Sequence, residues 1–338
     1  MQESQTQFFD LYRTSLRAMN DLMKSSLETT ERLQNQQLQQ VRSAIEETTR
    51  STGQMGEVRS MDELMAAQAR LAGSQIQRTM DFWGSLWRAA GDNQINFFKG
   101  LGNGGETWSG VMTQYCEGVP AGTTTCPSSS AHVGYPTGGA LAGVWVDTSS
   151  AAPSQATGNQ IGAEAVKAAG HFGNTTASSN RNVQYVVLSP TGTHPDGFNT
   201  VASDFCAWHD YTGDATLSGG APSSPYGPLA FTNEPYVTDA GSSCGSNFVN
   251  SGSAGTDDGV TIVEGHEYAE TITDQFPAGG WTDLTGYENG DKCAWISSGQ
   301  GAAQNITLTT GSYPVQSTWA NDFNNGSGGC EIGHPVVT

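Results

Sequence analysis

Beyond residue 100 the chain almost runs out of positive charge. Only 3 of its 14 lysines and arginines lie there, against 21 of its 33 aspartates and glutamates. That stretch, with a net charge of −18, lacks the cations that grip phosphates, which excludes nucleic acid and anionic membrane as partners. The first hundred residues lack different things: they contain no proline, no cysteine and six of the 43 glycines. So sharp a break in a chain of 338 residues implies two modules with different solvation strategies. No apolar run approaches the roughly 18 residues of a membrane helix. Met1–Gln7 is too polar to open a signal peptide. There is no G-x-S-x-G elbow, no phosphate-binding glycine loop with a lysine and no C-x-x-C pair, which removes the serine-hydrolase and P-loop readings.

What the second module has is cysteine, glycine and acid. All six cysteines fall within it, an even number that points to disulfides and an oxidising, extracellular setting. Cys116 and Cys126 are near enough to close a small loop together. The pairing of Cys206, Cys244, Cys293 and Cys330 stays open.

In the first hundred residues, Phe8, Leu11, Tyr12, Leu16, Met19, Leu22, Met23 and Leu27 recur at spacings of three and four, thinning through Leu33, Leu38, Val41 and Ile45. That is one face of a helix. Ser51-Thr52-Gly53 and Gly56 interrupt it, and Ser60 with Glu63 forms a capping box. A second helix then carries Leu64, Ala67, Leu71, Ile76, Met80, Trp83 and Trp87 and runs on towards Phe97-Phe98. The expectation is an all-α amphipathic helical hairpin over 1–100. Two helices cannot bury both stripes against each other alone, so the spare surface implies self-association or adsorption to an apolar surface. With FFDLYRTSLRAMNDLMKSSLETTERLQ followed by SMDELMAAQARLAGSQIQRTMDFWGSLWRAA, residues 5–100 resemble the phasins. The resemblance implies a cytoplasmic protein that coats polyhydroxyalkanoate granules and needs no metal or catalytic residue to do so.

Residues 101–106, Leu-Gly-Asn-Gly-Gly-Glu, have the composition of a flexible linker. That sets the second module at 107–338. Within it, short β-branched or apolar runs alternate with Gly, Ser and Pro turns. Strands are predicted at 144–146, 183–188 and 306–308, and helices at 162–170 and 257–276. Asp257 or Asp258 is placed to cap the second helix and Pro277 to end it. The expected fold is α/β or α+β, loop-rich and disulfide-stabilised, and zincin-like in its specific form.

That specific form rests on one stretch, EGHEYAETITDQF. His266-Glu267-Tyr268-Ala269-Glu270 is HExxH with its last histidine replaced by glutamate. Four residues apart on a helix, His266 and Glu270 share a face, as the two zinc ligands of HExxH do. Glu267 then stands where a base can take a proton from water. A carboxylate in place of an imidazole hardens the site, so Ca2+ or Mn2+ rivals Zn2+. A third ligand is needed. Glu288 and Asp291, in Gly286-Tyr287-Glu288-Asn289-Gly290-Asp291-Lys292-Cys293, are candidates, and His209 is another. The competing account is a solvated acidic helix face (Glu264, Glu267, Glu270, Asp274) that happens to hold one histidine. His132, His171, His194 and His334 sit in Gly, Pro, Ser or Ala contexts and read as surface or hydrogen-bonded residues.

The order VQYVVLSPTG, DFCAWHD, VTIVEGHEYAETITD, GW and ENGDKCAW over residues 106–335 is similar to the Exordium-like (phosphate-induced) proteins of plants and their secreted bacterial relatives. His266, Glu267, Glu270, Trp281, Glu288, Asp291 and Cys293 match that pattern. The resemblance implies a peptidase with an HExxE helix. Two functions are then expected. The first joins an apolar-surface-binding hairpin to a metal-dependent hydrolase acting on polypeptides, with His266, Glu270 and either Glu288 or Asp291 as ligands and Glu267 as base. The alternative is a non-enzymatic granule-associated protein with a disulfide-stapled binding module.

Overall fold

The computed structural model describes residues 90–338 apart from Ala202 and Ala278. Most of the expected hairpin, up to position 89, lies outside the described residues. The chain divides into two units between Gly84 and Ser85, and every described residue belongs to the second.

The main elements of this second unit, in chain order, are α1 (helical over 90–100), α2 (Trp108–Met112), α3 (Gly158–His171), β1 (Gln184–Leu188), β2 (Trp208–Tyr211), β3 (Ala230–Glu234), α4 (Asp258–Thr273), β4 (Gln304–Leu308), β5 (Gly311–Val315), β6 (Thr318–Ala320) and β7 (Gly329–Glu331). β1, β3 and β2 form a mixed sheet in that order, with β3 parallel to β1 and antiparallel to β2. β4–β5 and β6–β7 are separate antiparallel pairs. β3 is buried along its whole length, as a central strand covered on both faces must be.

Successive side chains of a strand point to opposite faces, and β3 uses this to build two different interfaces. Phe231 faces α3 and packs with Ile161, Ala165 and Ala169. Thr232 and Glu234 point to the other side, towards α4. Gln184 of β1 reaches across that side, donating from Nε2 to Thr271 Oγ1 at 2.8 Å and to Thr232. The sheet therefore lies between α3 and α4, with an apolar contact on one face and a polar one on the other.

α4 forms against its own propensities. Val260-Thr261-Ile262-Val263 is a β-branched run and Gly259 and Gly265 interrupt the sequence, all weak helix formers. Burial compensates: every residue but His266, Ile272 and Thr273 is buried. Val260 and Val263 join the cluster of Phe198, Tyr236 and Val237, whereas Tyr268 and Ala269 join the larger cluster of Phe97, Trp108 and Tyr313. Asp257 occupies the cap position without making a capping bond. Asp258 instead accepts from the backbone N–H groups of Val249 and Asn250 at 2.8 and 2.6 Å, tying the preceding turn to the helix start. The helix stops at Thr273, ahead of the expected Phe276 and of Pro277.

The strands expected at 183–188 and 306–308 and the helix at 162–170 are present, each with shifted ends. The strand at 144–146 is not. Val144 and Val146 are 53% and 62% exposed, because three apolar residues without a partner strand have nothing to pack on. Trp145 stacks on His171 instead, with ring centroids 4.5 Å apart.

Packing also runs upstream of the boundary that composition placed at residue 100. Phe97 and Phe98 of α1 lie in the largest cluster, and Phe97 meets Trp108 and Tyr313 edge-on at 5.7 and 5.8 Å. The 101–106 stretch, expected as a linker, is a packed turn. Leu101 is fully buried, and a Cβ on Gly102 (φ +69°) would lie 1.8 Å from the carbonyl oxygen of Pro136. Glycine there permits close approach and a left-handed backbone. The six cysteines form three disulfides: Cys116–Cys126, Cys206–Cys244 and Cys293–Cys330. No helix among the described residues is long and apolar enough to cross a membrane.

Candidate metal centre

The middle of α4 supplies three polar side chains. His266 and Glu270 stand one turn apart, with His266 Nε2 3.1 Å from Glu270 Oε1. Glu267 is turned towards the sheet. There β2 presents His209, whose register partner is Thr232, on the side facing α4. His209 Nδ1 lies 3.3 Å from Glu267 Oε2 and 3.7 Å from Glu270 Oε2. Glu270 thus stands between two imidazoles, one to each oxygen.

The loop ahead of Cys293 closes the centre. Asp291 Oδ1 comes to 3.8 Å from His266 Nε2, and Glu288 Oε1 to 3.5 Å from His209 Nε2. The backbone N–H of Asp291 donates to Glu270 Oε1 at 2.8 Å. Gln316, just beyond β5, holds both sides: its Nε2 donates to the Gly290 carbonyl at 2.8 Å, and its Oε1 faces His266 Nδ1 at 3.1 Å. Gly290 is needed for this approach, since a Cβ there would lie 2.9 Å from Glu270 Oε1 and 3.1 Å from His266 Nδ1. The Cys293–Cys330 disulfide anchors the end of the loop.

Accessibility grades across the centre. The His209 side chain is 4% exposed and that of Asp291 is 42% exposed, with His266 between them. Water therefore reaches the centre from the Asp291 side. Burial disfavours a charged His266 ring, but the charge of Glu270 and its hydrogen bond outweigh this and push it up to about 10. Burial works likewise against His209, and the Glu267 and Glu288 carboxylates beside it still hold it well above the usual histidine value. Burial raises the Glu288 carboxyl, and the His209 contact partly offsets this. None of the three basic residues beyond residue 100 serves the centre: Lys167 pairs with Asp147, Arg181 with Glu117 and Lys292 with Asp283.

One turn up α4, the polar interface continues. Glu264 is fully buried opposite Glu234 of β3, whose Oε1 accepts from Gln94 of α1 at 3.2 Å. Burial pushes the carboxyls of both Glu234 and Glu264 well above the ordinary range, and the charge of neighbouring glutamates pushes them further.

Of the residues singled out from sequence, the structure brings His266, Glu270 and Asp291 together. Glu288 is delivered to His209 and not to His266. His209, considered as a third ligand to the His266 pair, meets Glu267 and Glu270 instead. The helix face expected to be solvated is interior: Glu264, Glu267, Glu270 and Asp274 are all buried. Sheet and loop cover it, and neither is legible from the helix's own residues. Gln316 and Glu234 carried no signal in the sequence, since neither sits in a motif. His132 and His194 face backbone carbonyls, His171 stacks on Trp145 and His334 meets Asp322.

These ligand-type atoms could hold a cation. Donors held at about 2.0–2.2 Å around a tetrahedral ion stand about 3.3–3.6 Å apart, close to the 3.1 and 3.8 Å seen from His266 Nε2. His266, Glu270 and Asp291 form one set in which the donor atoms all lie within 4.8 Å of one another, and His209, Glu267 and Glu270 form another. One nitrogen and two oxygens suit zinc or manganese. No curated protein and no solved structure matches this chain. The likeness that is found lies in the preceding segment: residues 6–101 match the family model described as Phasin protein.

Proposed function

We propose that the folded unit is a metal-dependent hydrolase, acting on polypeptide, joined to an N-terminal segment that binds an apolar granule surface. The observation that carries the hydrolase reading is the meeting of His266 Nε2, Glu270 Oε1 and Asp291 Oδ1, from a helix and a distant loop, at the rim of a buried acidic interface. A divalent cation held there, zinc in the first instance, supplies Lewis acidity to water and to a scissile carbonyl. The chain's own groups do the rest. Gln316 faces the far nitrogen of His266 and so orients the ring, as outer partners of ligating histidines do. Glu267 accepts the proton that water loses as its oxygen adds to the carbonyl carbon. His209, in contact with Glu267, stabilises the carboxylate beforehand. The proton passes to the leaving nitrogen as the C–N bond breaks. An Exordium-like lineage and a zincin-like layout belong to this same reading.

The apolar-surface reading rests on the Phasin protein match over 6–101. The three disulfides favour an oxidising compartment for the folded unit, whereas granule coating belongs to the cell interior.

The full chain, purified without chelator, is expected to hold at least one equivalent of zinc, manganese or calcium, and to cleave casein in a chelator-sensitive way. Glu267→Gln is expected to slow cleavage by about 10²–10⁴-fold. Sub-stoichiometric metal of all three kinds would end the hydrolase reading and leave a stapled binding module. Unchanged activity in Glu267→Gln would remove Glu267 as base. For the first segment, the full chain should sediment with polyhydroxybutyrate particles and a chain lacking residues 1–84 should not; equal behaviour of the two would end that assignment.

A further inference from the structure

A hydrolase with a single cation on His266, Glu270 and Asp291 uses half of the centre. His209 Nδ1 and the second oxygen of Glu270 take no part in holding that ion, and both side chains lie deep in the centre, 4% and 5% exposed. His209 Nδ1 faces two carboxylate oxygens, Glu267 Oε2 at 3.3 Å and Glu270 Oε2 at 3.7 Å. Neither distance is that of a good hydrogen bond between charged partners, which is about 2.7–2.9 Å. Both are near the spacing of donors that share an ion. On its other side, His209 Nε2 and Glu288 Oε1 are both buried without a hydrogen-bond partner and stand 3.5 Å apart.

The two halves repeat one plan. His266 offers Nε2 to Glu270 and Asp291, while an acceptor, Gln316 Oε1, backs Nδ1. His209 offers Nδ1 to Glu267 and Glu270, while a carboxylate oxygen, Glu288 Oε1, stands 3.5 Å behind Nε2. A ring oriented from behind by an acceptor, with its free nitrogen facing carboxylates, is the usual setting of a ligating histidine. Glu270 gives Oε1 to one set and Oε2 to the other, the arrangement by which one carboxylate bridges two ions about 3.5–4 Å apart. Charge points the same way. Glu267, Glu270 and Asp291 supply three carboxylates to the two sets, and every lysine and arginine beyond position 100 pairs elsewhere, so no lysine or arginine there competes with a cation for them.

We infer that the centre holds two divalent transition-metal ions: an outer one on His266, Glu270 and Asp291, and an inner one on His209, Glu267 and Glu270, with Glu270 bridging them. The inference rests on the hydrolase reading for the outer ion and adds the inner one. Glu267 binds the inner ion through Oε2, which leaves its other oxygen to accept a proton. Substrate approaches the outer ion, on the side where Asp291 is exposed, and the inner ion fixes Glu267 and Glu270 for it.

The test is metal stoichiometry on the full chain, stripped and reloaded with Zn2+, then with Mn2+ for paramagnetic resonance. Two equivalents of zinc and an exchange-coupled dimanganese signal are expected. His209→Gln should retain one equivalent and give an uncoupled mononuclear manganese signal, while His266→Gln should lose the outer ion. One zinc per wild-type chain would overturn the inner site and leave the hydrolase reading standing. None would overturn both. Two manganese ions without exchange coupling would overturn the bridging role of Glu270. Since the wild-type measurements decide the matter, a His209 variant that fails to fold does not blunt the test.

Discussion

His266 and Glu234 show how differently two titratable residues behave on one interface. His266 keeps its proton in the metal-free protein because Glu270 stabilises the charge, pushing it up to about 10. A cation bound by His266, as proposed, must displace that proton, so cation affinity would rise with pH. Between about pH 6 and about pH 8 the apparent zinc affinity should rise about tenfold per pH unit for each proton released. Calorimetry in buffers of different ionisation heat reads the released proton directly, and a pH-independent affinity would refute the expectation. Glu234 is the opposite case. Its folded-state carboxyl is raised well above the usual range by burial and then by the charge of Glu264. The folded state therefore holds a proton that the unfolded chain gives up near about pH 4.3. Stability from this group is present at low pH and declines as pH rises above that value. Glu234→Gln keeps an acceptor for Gln94 and removes the titration. Its melting temperature should gain on wild type at pH 8 relative to pH 5; a constant difference across that window would show that Glu234 is not held protonated.

At the scale of elements, α4 is a helix made by its surroundings. Its sequence offers a β-branched run, two glycines and an unused cap, and nearly every side chain is buried. A helix with no solvated face shows no amphipathic stripe to read. The centre depends equally on what the neighbouring elements allow. Gly259 lets α4 touch the preceding turn, where a Cβ would lie 1.9 Å from the carbonyl oxygen of Cys244. Gly290 lets the 283–293 loop touch His266 and Glu270. These glycines separate stability from binding. Gly259→Ala should destabilise by about 1–3 kcal/mol or more through overpacking, with the melting temperature falling accordingly. Gly290→Ala, in a loop, should melt near wild type and yet weaken zinc binding at least tenfold. A Gly290→Ala protein with unchanged zinc affinity would show that the loop is not positioned by this contact.

At the scale of the molecule, two devices hold distant segments on the centre. One is the disulfide set. Cys206–Cys244 and Cys293–Cys330 span 38 and 37 residues, each stabilising by about 4 kcal/mol on a loop-closure estimate. Cys293 lies two residues after Asp291, so Cys293→Ser with Cys330→Ser should lower both the melting temperature and the zinc affinity. Loss of stability with zinc affinity intact would detach the disulfide from the centre. The other device is α1. Phe97 and Phe98 contribute to the main cluster, and losing one such ring costs about 3–5 kcal/mol of a total that is about 5–15 kcal/mol for an ordinary domain. A chain starting at Ser85 should melt cooperatively, and one starting at Leu101 should not. Equal melting of the two would place the functional boundary at residue 100 after all.

The sequence by itself determined the two-module character, through the break in charge, proline and cysteine at residue 100, and it determined that disulfides hold the second part. It also pointed to His266 and Glu270 as neighbours, because a helical turn is a local constraint that four residues express completely. The tertiary structure decided everything that needs two distant segments. It put Asp291 on His266 and sent Glu288 to His209, and it turned an acidic face that reads as solvated into an interior. It drew the 90–101 stretch into the folded core, where glycines that look like a linker serve as contact points. Register, loop approach and burial are set by contacts between separate segments, from Asp291 with Glu270, 21 residues apart, to Gln94 with Glu234, 140 apart, and no local pattern of sequence announces such partners.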